Sequence, residues 1–108
     1  MTYCIIKCTT ANKEEAIKIA KYLVEKGLVA CCNIIPSITS VYKWEDKLCC
    51  DEEALMVIKT RTTLFSKVET AIKELHSYDV PEIICTKIVK GNKEYIDWIE
   101  KQTINVPV

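Results

Sequence analysis

The hydrophobic positions of this chain change period several times, and each change predicts an element. In "TYCIIKCT", Thr2 to Thr9, the residues Cys4, Ile6 and Cys8 recur at every second place, which sets them on one face of a strand. Beyond "TTAN" the spacing lengthens. Ala16, Ile17, Ala20, Leu23 and Val24 form a stripe at helical spacing, with Glu14, Glu15, Lys18, Lys21 and Glu25 on the wet side. Glu14 and Glu15 in the first turn and Lys26 in the last complement the helix dipole, and Gly27 supplies a left-handed cap. Leu28 to Ile35 is a nearly continuous apolar run and reads as a strand. Pro36-Ser37 interrupts it as a bend, and extended structure resumes over Ile38 to Leu48. Polar "EDK", Glu45 to Lys47, predicts a turn. "CCDEEALMVIKTR" then returns as a strand with Ala54, Met56 and Ile58 on one side and Leu55, Val57 and Lys59 on the other, completing a long hairpin.

A second helix carries Leu64, Phe65, Val68, Ile72 and Leu75 on one stripe, with Thr62 or Thr63 as its cap. "LHSYDVPE" turns the chain, and Pro81 forces Val80 into an extended conformation. "IICTKIV" is a fourth strand, and Gly91 precedes a short last helix with Tyr95, Ile96 and Ile99 on its apolar side. Two right-handed strand-helix-strand crossovers put both helices on one face of a mixed four-stranded sheet, an α+β, ferredoxin-like βαββαβ sandwich with a long β-hairpin and a C-terminal helix. Residues 1–108 read as one domain, a size at which the core is small. The open sheet face and the protruding hairpin both carry apolar side chains, among them Ile35, Leu55 and Val57, so association with copies of itself is expected.

Composition then narrows the function. Lysine plus arginine and aspartate plus glutamate number 15 each, so no net field draws nucleic acid or anionic lipid. The central strand "ALMVIKTR" has no aromatics on which bases would stack, which removes an RNA-binding version of this fold. The apolar run at the N-terminus is too short for a signal h-region or a spanning helix, so a cytoplasmic location is expected, where thiols stay reduced. An odd count of seven cysteines cannot pair completely within one chain, and no C-x-x-C opens a zinc site. An acylphosphatase-type enzyme would want glycines in the turn after the first strand, and "CTTAN" has none.

"VACCNIIPSITSVYKWED", "IKTR", "LHSYDVPEII" and "GNKEYIDWI" resemble, in order and spacing, the CutA family of small divalent-cation-tolerance proteins, from the first helix to Ile99. The resemblance implies a homotrimer of ferredoxin-like subunits, similar in build to PII-type signalling proteins, with hairpins wrapped around neighbours. It also implies a link to copper and other divalent metals, no catalytic reaction and no organic cofactor. Carried across position by position, Cys31 and Asn33 match the "A-C-x-N" segment, Tyr42 and Trp44 the hairpin aromatics, Lys59 the lysine of "I-K-T", and His76, Tyr78 and Glu82 the polar residues of the "H-x-Y-x-V-P-E" turn. Cys32 stands where a small apolar residue such as Val is usual, Ser37 where Gly is common and Ser77 where Pro is common. Cys4, Cys8, Cys49 and Cys50 have no family counterpart.

Each candidate residue has a chemical and a structural reading. Cys31 and Cys32 point to opposite faces of a strand, so they cannot share a metal or form a disulfide there. Both can be small buried hydrophobes, or Cys31 alone can be a soft copper ligand. His76, the only histidine, is a second copper ligand or a group bonding the last carbonyls of the helix before it. Trp44, Lys59, Tyr78 and Glu82 would line a cleft for a small charged ligand, or Lys59 and Glu82 satisfy each other at an interface anchored by Tyr42 and Trp44. The expectation is therefore a non-enzymatic, trimeric, cytoplasmic copper-binding protein of metal tolerance, its partners being its own copies and a divalent ion. The alternative is a PII-like module that binds a small ligand or a protein partner at the intersubunit cleft.

Overall fold

The computed structural model describes residues 1–105. Its elements are β1 (Tyr3–Thr10), α1 (Lys13–Glu25), β2 (Cys31–Trp44), β3 (Lys47–Arg61), a 3-10 turn (Thr62–Leu64), α2 (Phe65–Leu75), β4 (Ile83–Lys87) and α3 (Lys93–Gln102). The strands form one sheet in the order β2-β3-β1-β4, and every neighbouring pair is antiparallel. The mixed sheet expected from the crossovers is not formed; the sheet is antiparallel throughout. β1 and β2 run the same way, but β3 lies between them, and β1 likewise separates β3 from β4.

The alternation in β1 and β3 sorts the faces as the sequence indicates. Cys4, Ile6 and Cys8 join Ala54, Met56 and Ile58 in a core closed by Ile19, Leu23, Leu64, Val68 and Ile72 from the helices. On α1 the buried set is Ala16, Ile19, Ala20 and Leu23, so Ile19 replaces Ile17, and Val24 is exposed. A stripe that starts at Ala16 continues three, four and seven residues on, which selects Ile19 and rejects Val24.

The helix ends show which local signals hold. Asn12 caps α1, its Oδ1 accepting the Glu15 N–H at 2.8 Å, while Glu15 Oε1 accepts the Ala11 N–H at 3.0 Å. Gly27 has φ +69°, the Leu28 N–H reaches the Leu23 carbonyl at 3.0 Å, and the Gly27 carbonyl accepts the Ile104 N–H at 2.9 Å. A Cβ at Gly27 would stand 2.8 Å from Ile104 Cγ2 in a conformation that L residues disfavour. Gly27→Ala is therefore expected to cost about 2 kcal/mol in urea unfolding. Neither Thr62 nor Thr63 caps α2. The 3-10 turn feeds directly into the helix, with the Phe65 N–H bonded to the Thr62 carbonyl.

β2 and β3 extend far beyond the rest of the sheet. β3 pairs with β1 only as far as Ala54, while its pairing with β2 continues from Ile38 opposite Glu53 to Trp44 opposite Lys47. The ladder breaks between Ile35 and Ile38, where the bend at Pro36-Ser37 was expected. Glu45 and Asp46 close the hairpin, both with positive φ (50° and 64°), as a two-residue turn matched to strand twist requires. The result is a bare two-stranded arm about 20 Å long, estimated from the rise per residue. It exposes Val41, Tyr42, Trp44 and Leu48.

Candidate functional site

Cys31 and Cys32 part company as strand geometry demands. Cys32 packs against the core, and burial pushes its thiol up to about 12. Cys31 lies on the opposite face, half-buried, with its Sγ 3.9 Å from Asn33 Oδ1 and with Lys59 as its cross-strand partner. Lys59 Nζ donates to the same Asn33 oxygen. α3 brings Tyr95 to this group, and its phenol is raised first by burial and then by neighbouring Cys31. The Cys31 end of the sheet thus collects one thiol, an amide, an ammonium and a phenol.

Among the other thiols, Cys4 and Cys8 are buried and likewise pushed up to about 12 by burial. They stay protonated, which suits packing and not ligation. Cys49 is half-buried and Cys50 exposed on the arm, and Cys85 is exposed on β4.

His76 ends α2 and is buried. Its Nε2 lies 2.7 Å from the Thr9 carbonyl, and its Nδ1 accepts the Tyr78 N–H at 3.0 Å. A neutral ring protonated on Nε2 satisfies both bonds, so neither nitrogen offers a free lone pair outward. The cap reading of His76, a ring bonding the last carbonyls of α2, is not met. Its backbone N–H closes the helix on the Ile72 carbonyl, while its ring bonds β1 and the following turn. Glu15 Oε2 accepts the Ser77 N–H at 2.7 Å, tying the same turn to the start of α1. Burial alone would raise the Glu15 carboxyl, but the hydrogen bonds from Ser77 and Ala11 hold it below the usual range. This second use of Glu15 was invisible in a residue that reads as one more charge on a wet helix face.

The turn so fixed projects Tyr78, Asp79, Val80 and Glu82 against the root of the arm. There they bound a cleft of about 640 Å³ with Thr9, Ser40, Val41, Tyr42, Trp44 and Glu53. Trp44, Tyr78 and Glu82 therefore share a cleft, as the sequence suggested, and Tyr42 joins them. Tyr78 donates to Glu53 Oε2 at 2.7 Å and Tyr42 donates to Asp51. Lys59 is not in this cleft. It lies six residues along β3 from Glu53, about 20 Å away by strand rise, and among the described residues it forms no ion pair with Glu82. Nor do Cys31 and His76 meet. Cys31 is aligned through Lys59 with Ile5, four residues along β1 from Thr9, where His76 is bonded. That separation is about 13 Å. Among the described residues, no three His, Cys, Asp or Glu side chains come together so as to hold a metal ion, and no helix is long and apolar enough to cross a membrane.

These features define a class: a small α+β protein built on one antiparallel sheet, with an overhanging two-stranded arm and a cleft where the arm leaves the body. The chain belongs to the CutA1 divalent ion tolerance protein family, whose model matches residues 4–102. It is 43% identical over 99 residues to the divalent-cation tolerance protein CutA of Thermus thermophilus, covering 92% of this chain and 96% of that protein. Similarity to the chloroplastic protein CutA of Arabidopsis thaliana is 40% over 101 residues, 94% of this chain but 56% of that one, so the chain spans just over half of this plant relative. The crystal structure of CutA1 from Oryza sativa superposes with a TM-score of 0.96 at 38% identity, covering 98% of this chain and 97% of that one.

Proposed function

We propose that this chain is a homotrimeric, cytoplasmic, non-enzymatic protein that binds a divalent cation, copper foremost, in metal tolerance. Membership of a divalent ion tolerance family supports the cation, and the strand order β2-β3-β1-β4 with two covering helices supports the ferredoxin-like reading. The exposed apolar side chains of the arm support self-association.

The observation that carries the metal reading is the surroundings of Cys31. It is a half-buried thiol with an amide oxygen on the same face and a phenol brought to it by α3. A thiolate selects soft metals such as copper, but one chain supplies too few donors for a closed transition-metal site. The set must be completed by a second copy or by water. His76 enters as the organiser of the turn, because ligation would require its ring to release the Thr9 carbonyl or the Tyr78 amide.

Native mass spectrometry of the fully reduced protein, with and without one equivalent of copper per chain, tests this. A trimer that takes up metal in whole steps, up to one per subunit, is expected. Cys31→Ser is expected to keep the assembly and weaken copper binding at least tenfold; unchanged affinity in that variant sinks the reading.

A further inference from the structure

Arg61 is the only arginine of the chain. It ends β3 opposite Tyr3 and is 3% exposed. A charge so deeply buried is normally paired. Here Nε donates to Thr103 Oγ1 at 2.9 Å, a neutral hydroxyl that in turn donates to the Ile99 carbonyl of α3 at 3.0 Å. Nη1 meets the Met1 thioether at 3.7 Å, a weak acceptor. Nη2 is buried with no hydrogen-bond partner among the described residues.

No carboxylate of the described residues answers this guanidinium. The ion pairs among them are Lys73 with Glu69 and Lys93 with Asp97. Glu100, three residues before Thr103, accepts the Tyr3 hydroxyl at 2.8 Å and makes no ion pair with Arg61. The C-terminal end of α3 offers its dipole, which favours a cation there but leaves the Nη protons without an acceptor.

Guanidinium geometry narrows what the free donors fit. Nη1 and Nη2 present parallel N–H bonds at the outer end of a plane, an arrangement that a carboxylate matches with its two oxygens. One negative charge cancels one positive charge, so the buried pair is neutral as a whole. A phosphate or sulfate dianion would bring excess charge and further oxygens, and the thioether beside Nη1 has no proton to give them. The approach lies past Met1, whose side chain contacts Nη1 and which is itself 76% exposed, so moving it aside breaks no core packing.

We infer that the Nη1–Nη2 edge of Arg61 is a binding site for a small monocarboxylate, which takes the place of the Met1 thioether. The site shares no residue with the Cys31 group, so it holds or fails separately from copper binding.

Because the chain has one arginine, its guanidinium N–H resonances are self-assigned in isotope-labelled wild-type protein. Sodium acetate is titrated into this protein at constant ionic strength. A saturable shift of the Arg61 side-chain resonances is expected, with half-saturation in the millimolar range, as two charge-assisted hydrogen bonds offset by desolvation give. Acetate is also expected to raise the melting temperature. Arg61→Lys keeps the charge and loses the fork, and about 10-fold more acetate is expected for the same rise. Cys31→Ser leaves the acetate response unaltered. Absence of a saturable shift in the wild type overturns the inference, and this holds even where the lysine variant does not fold. So does the same shift in a titration with sodium chloride alone, which would mean a general response to anions. An unchanged acetate response in Arg61→Lys would place the acetate elsewhere and overturn it too.

Discussion

Replacing His76 with alanine is expected to lower the free energy of unfolding by about 3 kcal/mol, read from urea denaturation with an unchanged slope. The ring makes two hydrogen bonds from a buried position, to the Thr9 carbonyl and from the Tyr78 N–H, and packs 4.8 Å from the Tyr78 ring. Alanine removes both partners and leaves a carbonyl and an amide without them. Each unmet group costs about 1–3 kcal/mol, and the lost ring volume adds to this. His76→Gln keeps one donor and one acceptor and is expected to recover part of the loss. A loss below about 1 kcal/mol for the alanine variant would show that the turn is held by other contacts, with Glu15 to Ser77 the first to test.

Truncating Trp44 to alanine is expected to act on assembly and not on the fold of one chain. Trp44 is 60% exposed and Leu48 79% exposed on an arm with no core beneath it. A tryptophan on such a surface is a natural anchor when another copy covers it, with truncation costing about 2–3 kcal/mol. On the proposed trimer this raises the concentration of half-dissociation about 100-fold. Sedimentation velocity over a dilution series checks it. The same sedimentation profile and the same melting temperature for Trp44→Ala would remove Trp44 from the interface.

How far the sequence could be read depended on how local each signal was. Alternation in β1 and β3 sets the faces of Cys4, Ile6, Cys8, Ala54, Met56 and Ile58, because a side-chain period of two needs no knowledge of the neighbouring strand. Gly27 and the bend at Pro36-Ser37 were legible for the same reason. The cleft was legible in part. Trp44, Tyr78 and Glu82 come together because the arm's root and the 76–82 turn meet at one end of the sheet. Lys59 was misplaced because its distance from them is set by the register of β3 against β1, a long-range property. Glu53 was missed because it reads as one of a run of acids, "DEE", and only register puts it beneath the Tyr78 hydroxyl. The double hydrogen bonding of His76 had no sequence signal, since Thr9 lies 67 residues away.

The overhanging arm has a further consequence, for hydrogen exchange. Two strands without a third strand or a covering helix are marginal in water, so the amides from Ile38 to Glu53 are not protected by the same cooperative unit as β1 and the inner half of β3. In a dilute single chain they exchange through local opening, at free energies well below that of global unfolding. Where another copy covers the arm, their protection rises with protein concentration, while that of Ile6 and Ile58 does not. The arm thereby serves as a built-in gauge of association, readable residue by residue without any label.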